Sequence, residues 1–179
     1  MTQKYILTGG PGSGKSSVLL ELERRGEYII REAAEDVIKL AQSKGVEKPW
    51  ELANFQRDIL NIQIQRERAI PQDIRRVFID RGIPDGLAYT KQGTDIYKEI
   101  KSQCPRYSGI FLIENLGGTE QNKVRREDNG EALELELILG EIYTINPVGG
   151  YKVVHIPPQS VIERADDILG VIEGGIFLR

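Results

Sequence analysis

Apolar residues along this chain come in short runs, and their spacing switches repeatedly between strand-like and helix-like. Tyr5, Ile6 and Leu7 form a run too short for a helix and suited to a buried strand. Val18, Leu19 and Leu22 then recur three and four apart, one face of a helix that Gly26 would stop. "EYIIRE" (27–32) reads as a second strand, and "AAEDVIKLAQSKG" (33–45) as a helix ending at Gly45. From Pro49 the pattern predicts a long helical segment over 50–70, with Leu52, Phe55, Ile59 and Ile62 on one face. "RRVFIDRG" (75–82) is a third strand with polar residues at its end, followed by two short helices in "PDGLAYTKQ" and "TDIYKEIKSQ". "YSGIFLIENL" (107–116) is a fourth strand.

The stretch 117–130 is rich in charge and has no apolar stripe. It reads as a mobile lid, with a solvated loop as the plainer alternative. In "EALELELIL" the leucines alternate as in a strand, but Leu135, Ile138, Leu139 and Ile142 recur at helical spacing, which predicts a helix through about 145. "GYKVVHIPP" (150–158) is a fifth strand stopped by two prolines. "QSVIERADDILGVI" (159–172) is a closing helix with Ser160 at its N-cap, and "GGIFLR" is a tail with room for a short added strand.

Five apolar strands alternating with helices imply an α/β fold, a parallel sheet covered on both faces. At 179 residues one domain is the expectation. Ligands of such sheets bind beyond the carboxyl ends of the strands. Polar residues collect there: the first strand ends at a glycine loop, the second at Arg31 and Glu32, the third at Asp80 and Arg81, and the fourth at Glu114 and Asn115.

The loop after the first strand is "TGGPGSGKSS". Gly9, four residues, Gly14, Lys15 and Ser16, set between a strand and a helix, have the spacing of a phosphate-binding loop. Glycine lets backbone N–H groups turn inward, and the first helical turn adds unpaired N–H groups and a positive dipole end. The nucleotide-binding residues are therefore Gly9, Gly10, Pro11, Gly12, Ser13, Gly14, Lys15, Ser16 and Ser17. Lys15 is placed for the terminal phosphates, and Ser16 and Asp80 for Mg²⁺. Arg81 reads as a grip on a phosphoryl oxygen or as a surface arginine. Glu32 reads as a base for an acceptor hydroxyl or as a charge favouring the start of the next helix. Arg125 and Arg126, with Lys123 before them, would bring positive charge to the transferring phosphoryl as a lid closes, or form a solvated cluster. Arg125 is the preferred one. Gln56, Arg57 and Gln63 on the helix after Pro49, with Asp85 and Tyr89, would line a second-substrate pocket or simply face solvent. His155, the sole histidine, reads as a core or strand-end residue without partners. "NKVR" (122–125) begins like a guanine-reading motif, but Arg125 replaces the required carboxylate, so ATP is the expected nucleotide.

A net charge of −3 gives no reason to expect a nucleic acid or an anionic membrane as partner. One cysteine cannot form an internal disulfide, no signal pattern is evident and no apolar run reaches a membrane span, so a cytoplasmic location is expected.

"GGPGSGKSS", "REAAEDVI", "DRGIPDGLAY" and "GYKVVHIPP" followed by "SVIERADDIL" together resemble the compact AAA-labelled P-loop ATPase domain family. That family is related to the nicotinamide riboside kinase domain and more loosely to nucleoside and nucleotide kinases. The resemblance implies a kinase-like three-layer sandwich, parallel order 2-3-1-4-5, and an arginine-rich lid. It implies phosphate and Mg²⁺ binding by Lys15 and Ser16, and matches Asp80 and Arg81 to an acidic-basic pair. Arg125 or Arg126 fits a lid position where the family often has Asp-x-x-Arg; Asn122 stands here instead of the aspartate. Related nucleoside kinases use a glutamate at the end of strand two as base, the place of Glu32. The expected activity is ATP-dependent phosphorylation of a small-molecule acceptor, with an ATP-hydrolysing regulatory switch as the alternative. Neither the acceptor nor the oligomeric state is specified.

Overall fold

The computed structural model describes residues 2–116, 129–144 and 150–177. Five strands, β1 (Gln3–Thr8), β2 (Tyr28–Ile30), β3 (Arg76–Asp80), β4 (Gly109–Ile113) and β5 (Val153–Ile156), form one sheet in the order β2-β3-β1-β4-β5. Every pairing is parallel. The helices are α1 (Lys15–Arg24), α2 (Ala33–Ser43), α3 (Phe55–Arg68), α4 (Asp95–Gln103), α5 (Asn129–Thr144) and α6 (Val161–Glu173). Two 3₁₀ segments, Pro49–Glu51 and Ile83–Tyr89, complete the set. The order 2-3-1-4-5 and the alternation of strand and helix are as the apolar pattern and the resemblance implied.

Both faces of the sheet are buried, so the centres of β1, β3 and β4 are unbroken apolar runs (Tyr5 to Leu7, Val77 to Ile79, Ile110 to Ile113) rather than alternating ones. Tyr5, Leu7, Phe78 and Phe111 point to one side, against Val18, Leu19 and Leu22 of α1 and Ala165 and Ile168 of α6. Ile6, Val77, Ile79 and Ile110 point to the other, against Leu60, Ile83, Leu87, Ile100, Ile142 and Tyr143. A smaller cluster of Ala33, Val37, Phe55 and Ile59 joins α2 to α3. Both helices line the cleft described below.

Four local expectations change. The helix expected over 50–70 is two elements, because Leu52 is extended (φ −73°, ψ 136°) and the α-helix restarts at Phe55. Leu52 is 44% exposed and does not share the buried face of Phe55 and Ile59. A spacing of three suits a tight 3₁₀ turn as well as an α turn, and Pro49 seeds only the former. β2 spans three residues rather than six. On α5 the buried face is Leu139, Ile142 and Tyr143, while Ile138 turns outward. The tail is a turn over 174–177 rather than a strand. Its Phe177 ring packs edge-on against Phe111, 5.4 Å between centroids, and also meets Tyr5. The lid expectation for 117–130, with Arg125 and Arg126, lies outside the described residues up to 128; residues 129 and 130 open α5. No helix among the described residues is long and apolar enough to cross a membrane.

Candidate active site

β1 and β3 are neighbours, but the connection leaving β1 runs to β2 on one side and that leaving β3 runs to β4 on the other, so a crevice opens at their carboxyl ends. The glycine loop fills the base of that crevice. Gly9, Gly12 and Gly14 all have positive φ (139°, 78° and 88°). Gly9 also has no room: a Cβ there would sit 2.4 Å from the Ile113 carbonyl oxygen on β4. Gly14 is the residue before α1, and no side chain caps the helix. The N–H groups of its first turn are thus left for a ligand.

Lys15 is 6% exposed. Its Nζ donates to the Gly9 carbonyl at 3.0 Å, the Gly10 carbonyl at 2.8 Å and Ser13 Oγ at 3.3 Å. Burial, and then the nearby charge of Arg81, pull its pKa down to about 8. An anion in the cleft would reverse that pull. Ser16 Oγ donates to Asp80 Oδ2 at 3.0 Å. Asp80 is 2% exposed, and burial pushes its pKa up to about 6 against the opposing charge of Lys15. Asp80 Oδ1 is buried with no hydrogen-bond partner. A carboxylate oxygen left unsatisfied beside a serine hydroxyl fits a hard cation, which takes oxygen ligands and keeps several waters. Among the described residues no cluster of three carboxylate, histidine or cysteine groups stands ready to hold a metal alone.

Arg81 follows β3 with φ 65°, the one non-glycine residue at positive φ among those described. It is 8% exposed, so it is not the surface arginine that remained open as an alternative. Its Nε donates to Glu32 Oε1 at 3.0 Å, and its Nη1 lies 3.5 Å from Asp85 Oδ1. The guanidinium carbon sits 5.7 Å from the centre of the Tyr89 ring. Burial works against the Arg81 charge, but Tyr89 and the carboxylates of Glu32, Asp85 and Asp80 outweigh it and hold its pKa above the ordinary range.

Asp85 is 1% exposed and fully committed. Its Oδ1 accepts from Thr8 at 2.6 Å; its Oδ2 accepts from the Tyr143 hydroxyl at 2.5 Å and the Gly82 N–H at 2.9 Å. A second buried chain runs beneath: Lys4 and the Tyr107 hydroxyl both donate to Glu67, at 2.8 Å, and the Tyr107 oxygen accepts from the Ile83 N–H at 3.1 Å. Together they fix the turn that carries Arg81 and Gly82.

A cleft of about 780 Å³ opens over the loop. One end is lined by Pro11, Gly12, Gly14, Lys15, Ser16 and Ser17. The other lies against α2, α3 and the turn at 83–89, where Trp50, Phe55 and Tyr89 supply rings and Gln56 and Gln63 supply amides. Glu32, Arg81 and Asp85 lie along the same wall. Of the residues expected in a second-substrate pocket, Arg57 alone is elsewhere: it faces out and pairs with Glu99 at 3.0 Å. His155 does have a partner, Glu114 Oε1 at 3.0 Å, and lies on the exposed β5 edge rather than in the core. Sequence reasoning missed Thr8, Tyr143, Trp50 and Arg164. Only Arg164 left a signal, a charge four residues before Ile168 on the apolar face of α6.

A family model described as an AAA domain matches residues 4–164. No curated protein matches the chain in sequence. Among solved structures, thymidylate kinase from Candida albicans superposes with a TM-score of 0.63 at 13% identity, covering 98% of this chain and 93% of that one. At that identity the likeness is one of fold: a P-loop, nucleotide-kinase-like sandwich.

Proposed function

The chain belongs to the AAA-domain family matched over residues 4–164, and on that premise we propose that it is a Mg-ATP-dependent kinase of a small hydroxyl-bearing acceptor. The observation that carries this reading is the shape of the cleft. It is lined by the phosphate loop and also by rings, amides and carboxylates from other segments, Glu32 among them.

In this reading the N–H groups of the loop and Lys15 hold the polyphosphate, and Ser16 and Asp80 hold the metal. Mg²⁺, when bound, would offset charge on the phosphate oxygens. The acceptor oxygen forms a bond to the γ-phosphorus while the bond from that phosphorus to the β,γ-bridging oxygen breaks. The electron pair leaves with the diphosphate, and the hydroxyl proton passes to Glu32. Arg81 orients Glu32 through its 3.0 Å bond. Arg125 or Arg126 would supply charge from the lid. Charge on the acceptor side favours a neutral hydroxyl over a phosphate. Among the described residues, Glu32, Glu35 and Asp85 line the cleft with Arg81 as their counter-charge, and Arg81 already faces Glu32 and Asp85.

The test is an incubation with Mg-ATP and a panel of nucleosides, nucleoside monophosphates and small alcohols, read by mass spectrometry. A singly phosphorylated product of a hydroxyl compound is expected. Glu32→Gln is expected to slow its formation about 10²-fold or more with ATP affinity retained. ATP consumed at one rate whatever is added, with no phosphorylated product, would replace this reading with the regulatory switch.

A further inference from the structure

Arg164 on α6 is 1% exposed, and the proposed phosphoryl transfer gives it no part. Its guanidinium makes three hydrogen bonds, all to backbone carbonyls at the carboxyl rim of the sheet. Nε donates to Pro157 beyond β5 at 3.1 Å, Nη2 to Glu114 beyond β4 at 3.0 Å, and Nη1 to Ser13 in the phosphate loop at 2.5 Å. Among the described residues it forms no ion pair, whereas buried charges are ordinarily paired. Burial draws its pKa below the usual guanidinium value, against the more distant charges of Glu114 and Glu136.

The bond to Ser13 has a directional consequence. A trans peptide is planar, and its C=O and N–H point opposite ways. A Ser13 carbonyl held toward Arg164 therefore aims the Gly14 N–H away from Arg164, toward the cleft that Gly14 lines. Glycine at φ 88° leaves that peptide many orientations, so an external pin matters here. The pin is close: a Cβ on Gly14 would lie 3.4 Å from Arg164 Nη1.

We propose that Arg164 is a positioning residue for nucleotide binding, which fixes the Ser13–Gly14 peptide with its N–H toward the polyphosphate and sets an unpaired positive charge behind the loop. This rests on the reading of the loop as a phosphate cradle. Because that N–H serves bound ATP and the transition state alike, its loss acts on affinity rather than on the chemical step.

The test compares wild type, Arg164→Lys and Arg164→Gln. Mg-ATP affinity is measured by calorimetry, KM and kcat by ATP turnover, and nucleotide-free stability by thermal unfolding. Arg164→Gln is expected to weaken Mg-ATP about 10- to 100-fold in both Kd and KM, the range for hydrogen bonds to a charged group, with kcat nearly unchanged. Arg164→Lys keeps the charge without the three-way fork and is expected to fall between. Should Arg164→Gln not fold, Arg164→Lys carries the test, with a displaced Gly14 amide resonance as its second readout. Folded variants that bind Mg-ATP as wild type does, whatever their melting temperature, would make Arg164 a packing residue and overturn the proposal. Wild type that binds no Mg-ATP would overturn the cradle itself, and this inference with it.

Discussion

Gly9 is where a single atom matters most. A Cβ would enter the space of the Ile113 carbonyl and impose a side chain at φ 139°, so strand β4 or the loop must move. Gly9→Ala is expected to destabilise the fold by about 2 kcal/mol or more, read as a lower urea midpoint. A midpoint equal to wild type would show that the loop accommodates the methyl. At this scale the sequence was legible where chemistry has a fixed address: Asp80 ends β3, Arg81 follows it, and Glu32 lies two residues past β2. It was illegible where a polar group is buried by distant partners. Thr8, Asp85 and Tyr143 meet only through tertiary structure, the last two being 58 positions apart. Arg164 reads as one more charge on a helix until its three carbonyl partners, from three separate segments, are in view.

Among the elements, α6 begins with a reciprocal cap: the Glu163 N–H donates to Ser160 Oγ at 3.3 Å, and the Ser160 N–H donates to Glu163 Oε2 at 3.0 Å. Ser160→Ala is expected to cost about 1 kcal/mol, seen as a fall in melting temperature with unchanged cooperativity. No change in melting temperature would mean that packing of Ala165 and Ile168 alone sets the helix start. Caps of this kind are local, which is why Ser160 was readable from four residues of sequence. The 52–54 break was not, because Leu52 and Phe55 keep helical spacing across it. The break separates Trp50 from α3, yet both Trp50 and Phe55 line the cleft.

For the molecule as a whole, strand order places β1 centrally and collects the loop, Glu32 and Asp80 at one rim. Alternation of strand and helix conveyed the parallel sheet, whereas its order was legible only through the family resemblance. Cys104 offers a probe of how that whole holds together. Burial, with Glu67 and Asp85 nearby, pushes its thiol up to about 12. At pH 8 about one molecule in ten thousand then carries the reactive thiolate, so iodoacetamide labelling is expected to be slow in the native protein and to accelerate through the urea transition. Rapid labelling without urea would contradict the packing of α4. In the proposed function the Gly9–Ser16 loop encloses the polyphosphate of Mg-ATP, with Lys15 as its principal charge. Calorimetric titration of wild type and Lys15→Ala with Mg-ATP puts that enclosure to the test. Saturable one-to-one binding by wild type and none measurable by the variant are expected; a variant that binds as tightly as wild type would refute the role of the loop.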